Sequence, residues 1–309
     1  MSSSADPLIG LAVLVGAIAL AIFAGVSAAI VIFTIRFRDR GSSDGRAGPV
    51  DVPQIHGDQR LEILWTAAPL AVLAIVFVAS LVTLAQVGRT ATFGSTEPPV
   101  VIRAVGHQWW FDFAYADGWS VPNEVHIPLG TPVEFRVIAE DVLHDLWIPE
   151  LGVKADLFPG RENVIRVFTT RAGTYDGVCA EFCGLEHAWM RFRVVAEPRA
   201  AYDRWISLQA AARAAPAGAA ADGERVFLAN VCVSCHAVRG TTAASQIGPE
   251  LTHLGGRMKL AGGVLPNGPG GLRSWLEDPQ RYKPGSFMPR VELAAKDLDA
   301  LVAYLGSLR

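Results

Sequence analysis

Residues 179–190 read CAEFCGLEHAWM and hold two cysteines, a histidine and a methionine in a loop before a strand-like run, RFRVVA. Thiolate, imidazole and thioether groups are soft or borderline ligands that favour copper or zinc over magnesium or calcium. A structural zinc site expects cysteine or histidine at all four positions, whereas a thioether such as that of Met190 is a poor zinc ligand. The segment therefore predicts a copper site.

The second cysteine of this segment indicates more than one metal ion. A site with a single copper of the blue-copper type uses one cysteine, two histidines and a weak methionine. Two thiolates, from Cys179 and Cys183, can instead bridge two copper ions. Such a centre needs a second imidazole, and His144 lies upstream in DVLHDLWIPELG, between strand-like runs. A β barrel can bring His144 to the same pole as residues 179–190.

The sequence around these ligands is typical of a β domain. Residues 89–198 contain short runs rich in Val, Ile and Phe, among them VVIRAVG, TPVEFRVIA and NVIRVFTT, separated by Gly, Pro, Asn or Asp. Such runs predict strands joined by turns. We therefore expect an all-β sandwich or barrel over this range.

The ligand order resembles the binuclear copper A site of cytochrome c oxidase subunit II. His144 is followed by the pattern C-x-E-x-C-x-x-x-H-x-x-M over residues 179–190, without a departure from the family. The resemblance also implies that the Glu181 carboxylate reaches a magnesium or manganese ion at the boundary with subunit I. For copper it implies bridging ligands Cys179 and Cys183, terminal ligands His144 and His187, a weak axial ligand Met190 and the backbone carbonyl of Glu181.

The resemblance covers residues 8–198 and implies a transmembrane helical hairpin followed by a cupredoxin barrel. In GHQWWFDFAY, Trp109 falls where electrons enter the copper domain of the family. The alternative is that Trp109, like its aromatic neighbours, is an ordinary core residue. Glu62, before ILWTAAP, matches a carboxylate near a proton-channel entrance of subunit I. Its alternative is a solvated residue at a helix N-terminus, where the helix dipole favours an acid.

Two charge-free stretches in the first 88 residues predict membrane spans. They cover about 8–35 and 63–88, and each exceeds the roughly 20 apolar residues that cross a bilayer. A cleaved signal peptide fits the first stretch poorly, because its start, MSSSADP, has no basic residue. Arg36, Arg38 and Arg40 follow the first span, so the positive-inside rule places this loop in the cytoplasm. We expect a multi-pass protein of the cell membrane, with both termini and everything after residue 88 on the extracytoplasmic side.

The second cysteine pair lies in CVSCH, residues 232–236. This C-x-x-C-H pattern is typical of covalent haem c attachment, with Cys232 and Cys235 bound to the haem and His236 as the proximal iron ligand. A redox-active C-x-x-C is the alternative, but it leaves the histidine unexplained, as structural disulfides would. The sixth iron ligand is predicted to be Met288, in GSFMPR, rather than Met258.

The composition divides the external part into two domains. Residues 199–221 are Ala-rich and predict a partly helical linker, and residues 222–309 carry helical patterns expected of a cytochrome c domain. Residues 88–200 carry ten basic and fifteen acidic residues, whereas residues 222–309 carry ten and eight. Opposite net charges favour encounter, so we expect transient, charge-steered docking of the two domains. A permanently packed, apolar interface is the competing arrangement.

These features predict an electron-transfer subunit of a proton-pumping cytochrome c oxidase, with oxygen reduced in subunit I. The expected donor is a cytochrome c or a quinol-cytochrome c reductase complex. A copper A subunit of a nitric oxide reductase is the alternative. An assembly factor or sensor would have an incomplete ligand set, and a quinol oxidase subunit lacks these copper ligands. The net charge of -3 gives no indication of a nucleic-acid partner.

We predict that residues 89–309, produced without the spans in an exporting host, bind two copper ions and one covalent haem per chain. The reason is that every proposed ligand follows the second span. Metal analysis and the optical spectrum of the purified fragment measure both. Zinc in place of copper, or a single copper per chain, would contradict the binuclear site.

Overall fold

The computed structural model describes residues 6–38, 57–90, 97–116 and 118–309. Its N-terminal part consists of two long helices, α1 (Asp6–Arg36) and α2 (Gln59–Thr90). Both are long and apolar enough to cross a membrane, over Pro7–Arg36 and Gln59–Val87. Most of their side chains are exposed in the isolated chain. The prediction of two apolar helices is confirmed, whereas Arg40 lies outside the described residues.

Helix α2 begins earlier than the charge-free stretch. The Asp58 carboxylate accepts hydrogen bonds from the backbone amides of Arg60 (2.8 Å) and Leu61 (3.4 Å) and so caps the helix. Glu62 consequently lies in the first turn, and Pro69 lies inside the helix rather than in its first turns. The polar cap, which precedes the apolar residues, sets where the helix starts.

The β domain contains two five-stranded sheets, with strand orders β3-β2-β1-β5-β8 and β4-β10-β9-β6-β7. Strand β1 pairs parallel with β5 and β4 parallel with β10, while the other neighbours are antiparallel. The predicted β sandwich is confirmed. The strands are β1 Val100–His107, β2 Trp110–Ala114, β3 Ser120–Pro122, β4 Glu124–Pro128, β5 Val133–Ala139, β6 His144–Ile148, β7 Val153–Leu157, β8 Asn163–Val167, β9 Gly173–Cys179 and β10 Arg191–Glu197.

Aromatic side chains join the two sheets in the core. Phe111 and Phe113 alternate along β2, and their buried rings contact Phe192 of the other sheet with centroids 4.9 and 5.4 Å away. Phe135 of β5 contacts Phe113 edge-on at 6.3 Å. Burying one such side chain stabilises a fold by about 1.5–3 kcal/mol. This cluster holds the sheets together below the pole that carries the metal ligands.

The segment predicted as a linker begins with a helix that belongs to the β domain. Helix α3 spans Arg199–Ala210. Its Tyr202 is buried in the core of the sandwich, and Trp205 stacks on the His126 ring with the centroids 3.9 Å apart. Because this apolar face is covered by the sandwich, the segment that joins the two domains is shorter than the Ala-rich composition indicates.

The C-terminal domain is built mainly from helices. Helices α4 and α7 pack against each other. Helical spacing of apolar residues predicts one buried face on α7. The residues of this face are buried in the structure: Leu298, Leu301, Tyr304 and Leu305. The domain begins at Ala219, slightly before residue 222. Its elements are α4 Ala219–Ala229, α5 Pro269–Glu277, α6 Pro279–Tyr282, α7 Ala295–Ser307 and the short strands β11 Lys259–Leu260 and β12 Leu265–Pro266.

The β domain and the helical domain are in direct contact. The Met258 amide donates a hydrogen bond to the Glu124 carboxylate over 2.8 Å. Lys283 and Glu186, with 5% and 1% of their surfaces exposed, place Nζ 3.7 Å from Oε2 across the boundary. The net charges of the two domains predict a transient contact between them. The structure instead contains contacts between buried residues, which attraction between net charges does not predict.

The contact between α4 and α7 depends on Gly223. A Cβ added there would overlap the Ala300 carbonyl oxygen and lie 2.6 Å from the Tyr304 Cβ. Overpacking a core costs about 1–3 kcal/mol. We therefore expect Gly223→Ala to lower the free energy of unfolding of the helical domain by about that amount, measured by denaturant unfolding. Gly270→Ala in α5 is the control, since an added Cβ there meets no atom within 4 Å. Equal destabilisation by both changes would contradict the argument.

Candidate metal centres

Three neighbouring strands bring the copper residues to one edge of the second sheet. Strand β6 begins at His144, and the antiparallel strand β9 ends at Cys179, with Leu146 paired to Cys179. The loop from Ala180 to Met190 then leads back into β10, which pairs with β9 on its other side. Antiparallel neighbours put the start of one strand beside the end of the next. Residues 35 positions apart are thereby placed side by side.

The sulfur and imidazole atoms at this edge form a compact donor set. The Sγ atoms of Cys179 and Cys183 are 3.7 Å apart. His144 Nδ1 lies 3.9 Å from the first sulfur, and His187 Nδ1 lies 3.6 Å from the second. Cys183 Sγ is also 3.8 Å from the Met190 sulfur. Each cysteine thus has one imidazole nitrogen beside it.

These residues fit a copper centre better than a disulfide. A sulfur-sulfur separation of 3.7 Å far exceeds a disulfide bond of about 2.05 Å. It suits two sulfurs that share one ion, given metal-sulfur bonds of about 2.3 Å in zinc-thiolate sites. The Glu181 carbonyl oxygen lies 3.2 Å from Cys179 Sγ and adds an oxygen donor. Within the described chain all four cysteines are free.

Hydrogen bonding makes the two thiols unequal. The hydrogen bond between the two thiols lowers the pKa of Cys179 to about 3 and raises that of Cys183. The imidazole of His144 and backbone amides lower the pKa of Cys179 further, against the effect of burial. Thiolates are the form that binds metal, so metal binding at this pair releases the protons that its sulfurs carry.

A carboxylate behind His144 fixes the orientation of its ring. Asp141 Oδ1 lies 2.8 Å from His144 Nε2, which turns Nδ1 towards the sulfurs. Gly106 provides the space, since a Cβ there would lie 2.9 Å from His144 Cδ2. Burial raises the pKa of Asp141, but hydrogen bonds from His144 and two backbone amides lower it overall. Sequence analysis missed Asp141, although an acid three residues before a ligand histidine is a usable signal.

Trp109 lies directly behind the copper loop. It follows β1, is 7% exposed, and its indole Nε1 donates a hydrogen bond to the Cys183 carbonyl oxygen over 2.9 Å. Gln108 Nε2 donates to the same oxygen over 2.7 Å. The Trp109 ring also stacks on Phe287 of the helical domain with centroids 5.0 Å apart. Trp109 is therefore both a core residue and a contact of a ligand loop, and Gln108 is a second such contact that sequence analysis missed.

The CVSCH segment is arranged as a haem site requires. Cys232 and Cys235 are separate thiols in and beside a short helical turn. His236 Nδ1 lies 2.7 Å from the Pro249 carbonyl oxygen, which accepts its hydrogen and leaves Nε2 for a metal. Burial lowers the pKa of His236, so the ring is neutral and able to bind a metal ion at neutral pH.

The two methionines of the helical domain have different surroundings. Gln280 Nε2 donates to the carbonyl oxygens of Ser286 and Met288 over 2.8 and 3.0 Å and so shapes the loop that carries Met288. Met258 instead attaches its backbone to Glu124 of the β domain. The choice of Met288 as iron ligand stays a prediction.

The two remaining acidic candidates have simple environments. The Glu181 side chain is half-buried in the copper loop, one residue before the exposed Phe182. The Glu62 side chain is exposed in the first turn of α2. Their roles towards subunit I stay predictions.

Comparisons with known proteins agree with both domains. The family "Cytochrome C oxidase subunit II, periplasmic domain" matches residues 118–197, and "Cytochrome c" matches residues 220–309. Cytochrome c oxidase subunit 2 of Alkalihalophilus pseudofirmus is 37% identical over 291 residues, which cover 91% of this chain and 82% of the relative. The subunit 2 proteins of Bacillus sp. PS3 and Bacillus subtilis are 34% and 30% identical, over 83% and 91% of this chain and 76% and 83% of their own lengths.

The geometry predicts that substitutions of two predicted copper ligands have different effects on copper binding. Met190→Leu should retain copper with a shifted spectrum and potential, because a thioether is a weak axial ligand, and this volume-conserving change should cost less than about 1.5 kcal/mol of stability. His187→Ala should distort the centre or lose a copper, because it removes the imidazole beside Cys183. Copper content and optical spectra of the two proteins test this. Equal, complete loss of copper from both would contradict these roles.

Proposed function

We propose that this chain, which belongs to the cytochrome c oxidase subunit 2 family and carries a cytochrome c domain, transfers electrons from a covalent haem c to a binuclear copper centre. From there they pass to the oxygen-reducing site in subunit I. One observation carries the proposal. The Trp109 indole donates a hydrogen bond to the backbone carbonyl oxygen of Cys183, whose thiol is a proposed copper ligand. The same ring stacks on Phe287, which precedes the proposed iron ligand Met288.

The copper ions would be held by the six residues at the edge of the second sheet. The thiolates of Cys179 and Cys183 and the imidazoles of His144 and His187 would be the strong ligands, and Met190 and the Glu181 carbonyl would be the weaker ones. A bound pair of coppers supplies a one-electron carrier. The protein contributes the donor positions, the Asp141 carboxylate that accepts a hydrogen bond from His144 and so orients its ring, and the burial of both cysteines.

The haem would be attached through Cys232 and Cys235, and His236 and Met288 would hold its iron. A bound haem of this type supplies a second one-electron carrier, and a methionine ligand raises its potential. The chain orients the proximal ring through the hydrogen bond to the Pro249 carbonyl. The loop with Met288 also carries Phe287, which stacks on Trp109 of the copper domain.

The membrane arrangement follows from charge. Arg36 and Arg38 stand at the end of α1, and basic residues beside a span favour the cytoplasmic side. Both termini and both redox domains would then lie outside the cell membrane. In this arrangement Glu62 would lie near a proton-channel entrance of subunit I, and Glu181 would reach a magnesium or manganese ion at the boundary with that subunit.

Oxygen is the terminal acceptor that the relatives favour, since all three carry the name of cytochrome c oxidase. A nitric oxide reductase is less supported. The donor would be a cytochrome c or a quinol-cytochrome c reductase complex. Activity of the purified complex with oxygen against nitric oxide separates the two acceptors.

We expect Trp109→Ala to slow electron transfer from haem to copper without emptying either site. The indole is the side chain between Phe287 and the Cys183 carbonyl, but it is not a metal ligand. The measurement is the rate at which copper is reduced after flash reduction of the haem in the purified oxidase, with metal content checked beforehand.

Trp147→Ala is the matched control for this experiment. Trp147 belongs to β6 of the second sheet, the sheet that carries the copper loop, and is 39% exposed. Its loss should leave the transfer rate unchanged. Identical haem-to-copper transfer rates in the wild type and both variants would show that Trp109 is not part of the electron-transfer path. A wild type that holds both cofactors but shows no transfer would refute the proposed function itself.

A further inference from the structure

Lys283 has an unusual position for a lysine. It follows α6, is 5% exposed, and its Nζ lies 3.2 Å from the Trp109 carbonyl oxygen and 3.7 Å from Glu186 Oε2. Lysine is almost never fully buried unless it is paired. Both partners belong to the β domain, so the polar contacts of this ammonium group cross the boundary between the two domains.

Glu186 makes the contact specific to the copper loop. It is 1% exposed and precedes the ligand His187. The 3.7 Å between Lys283 Nζ and Glu186 Oε2 is longer than a hydrogen bond, so the attraction between the two groups is that of opposite charges. Removing one partner of a buried pair leaves an uncompensated charge, which is strongly unfavourable. The pair therefore favours one docked position and penalises displaced ones.

The residues that follow Lys283 continue the contact towards the haem ligand. A Cβ added to Gly285 would lie 3.0 Å from Leu185 Cδ1, which shows how closely the two loops approach. Phe287 stacks on Trp109. Met288 comes next in the chain. One short loop thus contains the charged contact, the aromatic contact and the predicted iron ligand.

We infer that Lys283 is a positioning residue, which through Glu186 and the Trp109 carbonyl holds the haem domain in one fixed place on the copper loop and keeps Phe287 against Trp109. Its consequence for electron transfer rests on the proposed function. The docked arrangement itself does not.

Salt distinguishes fixed docking from charge-steered encounter. The Debye length falls from about 10 Å at 0.1 M to about 3 Å at 1 M ionic strength, whereas buried pairs are screened much less. A fixed contact therefore predicts a haem-to-copper rate that does not change over this range. Encounter driven by opposite net charges predicts a rate that falls.

The test compares Lys283→Met with Lys296→Met in the complete oxidase loaded with haem and copper. Each change removes one positive charge from the same domain, but Lys296 is exposed on α7. Two quantities are measured in each protein at 0.1 and 1 M salt. They are the transfer rate after flash reduction, and deuterium uptake by peptides covering residues 183–190 and 283–290. Unchanged haem and copper spectra show that each variant is folded.

The wild type and Lys296→Met should show protected peptides and a salt-independent rate. Truncating one partner of a buried charge pair weakens an interface by about a hundredfold, so Lys283→Met should show increased uptake in both peptides and a slower, salt-dependent rate. Glu186→Gln should move both quantities in the same direction.

Two results would overturn the inference. One is a wild-type rate that falls with salt as steeply as that of Lys283→Met. The other is uptake in Lys283→Met that equals the uptake in Lys296→Met. If the wild type shows no transfer at all, the proposed function fails, and deuterium uptake still decides whether Lys283 fixes the docking.

Discussion

The antiparallel pairing of β6 with β9 is the constraint on which the rest of the site depends. It places His144 beside Cys179 at one edge of a sheet. The loop that returns to β10 can then bring the second thiol, the second imidazole and the thioether to the same point. Strands fixed by a buried aromatic core cannot shift register without moving every side chain to the other face. The same register that packs the core therefore places His144 and Cys179.

Rigidity at this edge extends outward through hydrogen bonds to the backbone of the ligand loop. The Cys183 carbonyl oxygen accepts from both Gln108 and Trp109. This links the hairpin between β1 and β2, in the first sheet, to a loop of the second sheet. Two side chains of that hairpin thereby orient the backbone of the loop that carries Cys183.

The same surface serves as the contact for the helical domain, and its polar groups decide the geometry of that contact. An apolar patch permits many orientations, whereas buried charges such as Glu186 and Lys283 are tolerated only where they meet. Burial raises the pKa of Glu186 and lowers that of Lys283, and their attraction opposes both changes. The aromatic contact between Trp109 and Phe287 then lies beside a charge pair that fixes its position.

Local chemistry and periodicity made much of this protein readable from its sequence. The apolar stretches predict α1 and α2, the spacing of CAEFCGLEHAWM predicts a copper donor set, and CVSCH predicts haem attachment, because each depends on residues close together in the chain. Other features depend on residues far apart. Asp141 and Gln108 act through folded contacts, α3 joins the sandwich because the core covers its apolar face, and Lys283 meets Glu186 only when two domains pack. The sequence by itself thus determined which candidate ligands the chain carries, and the tertiary structure decided how they are oriented and connected, because pairing over long separations is set by the packing of the whole fold and not by any local pattern.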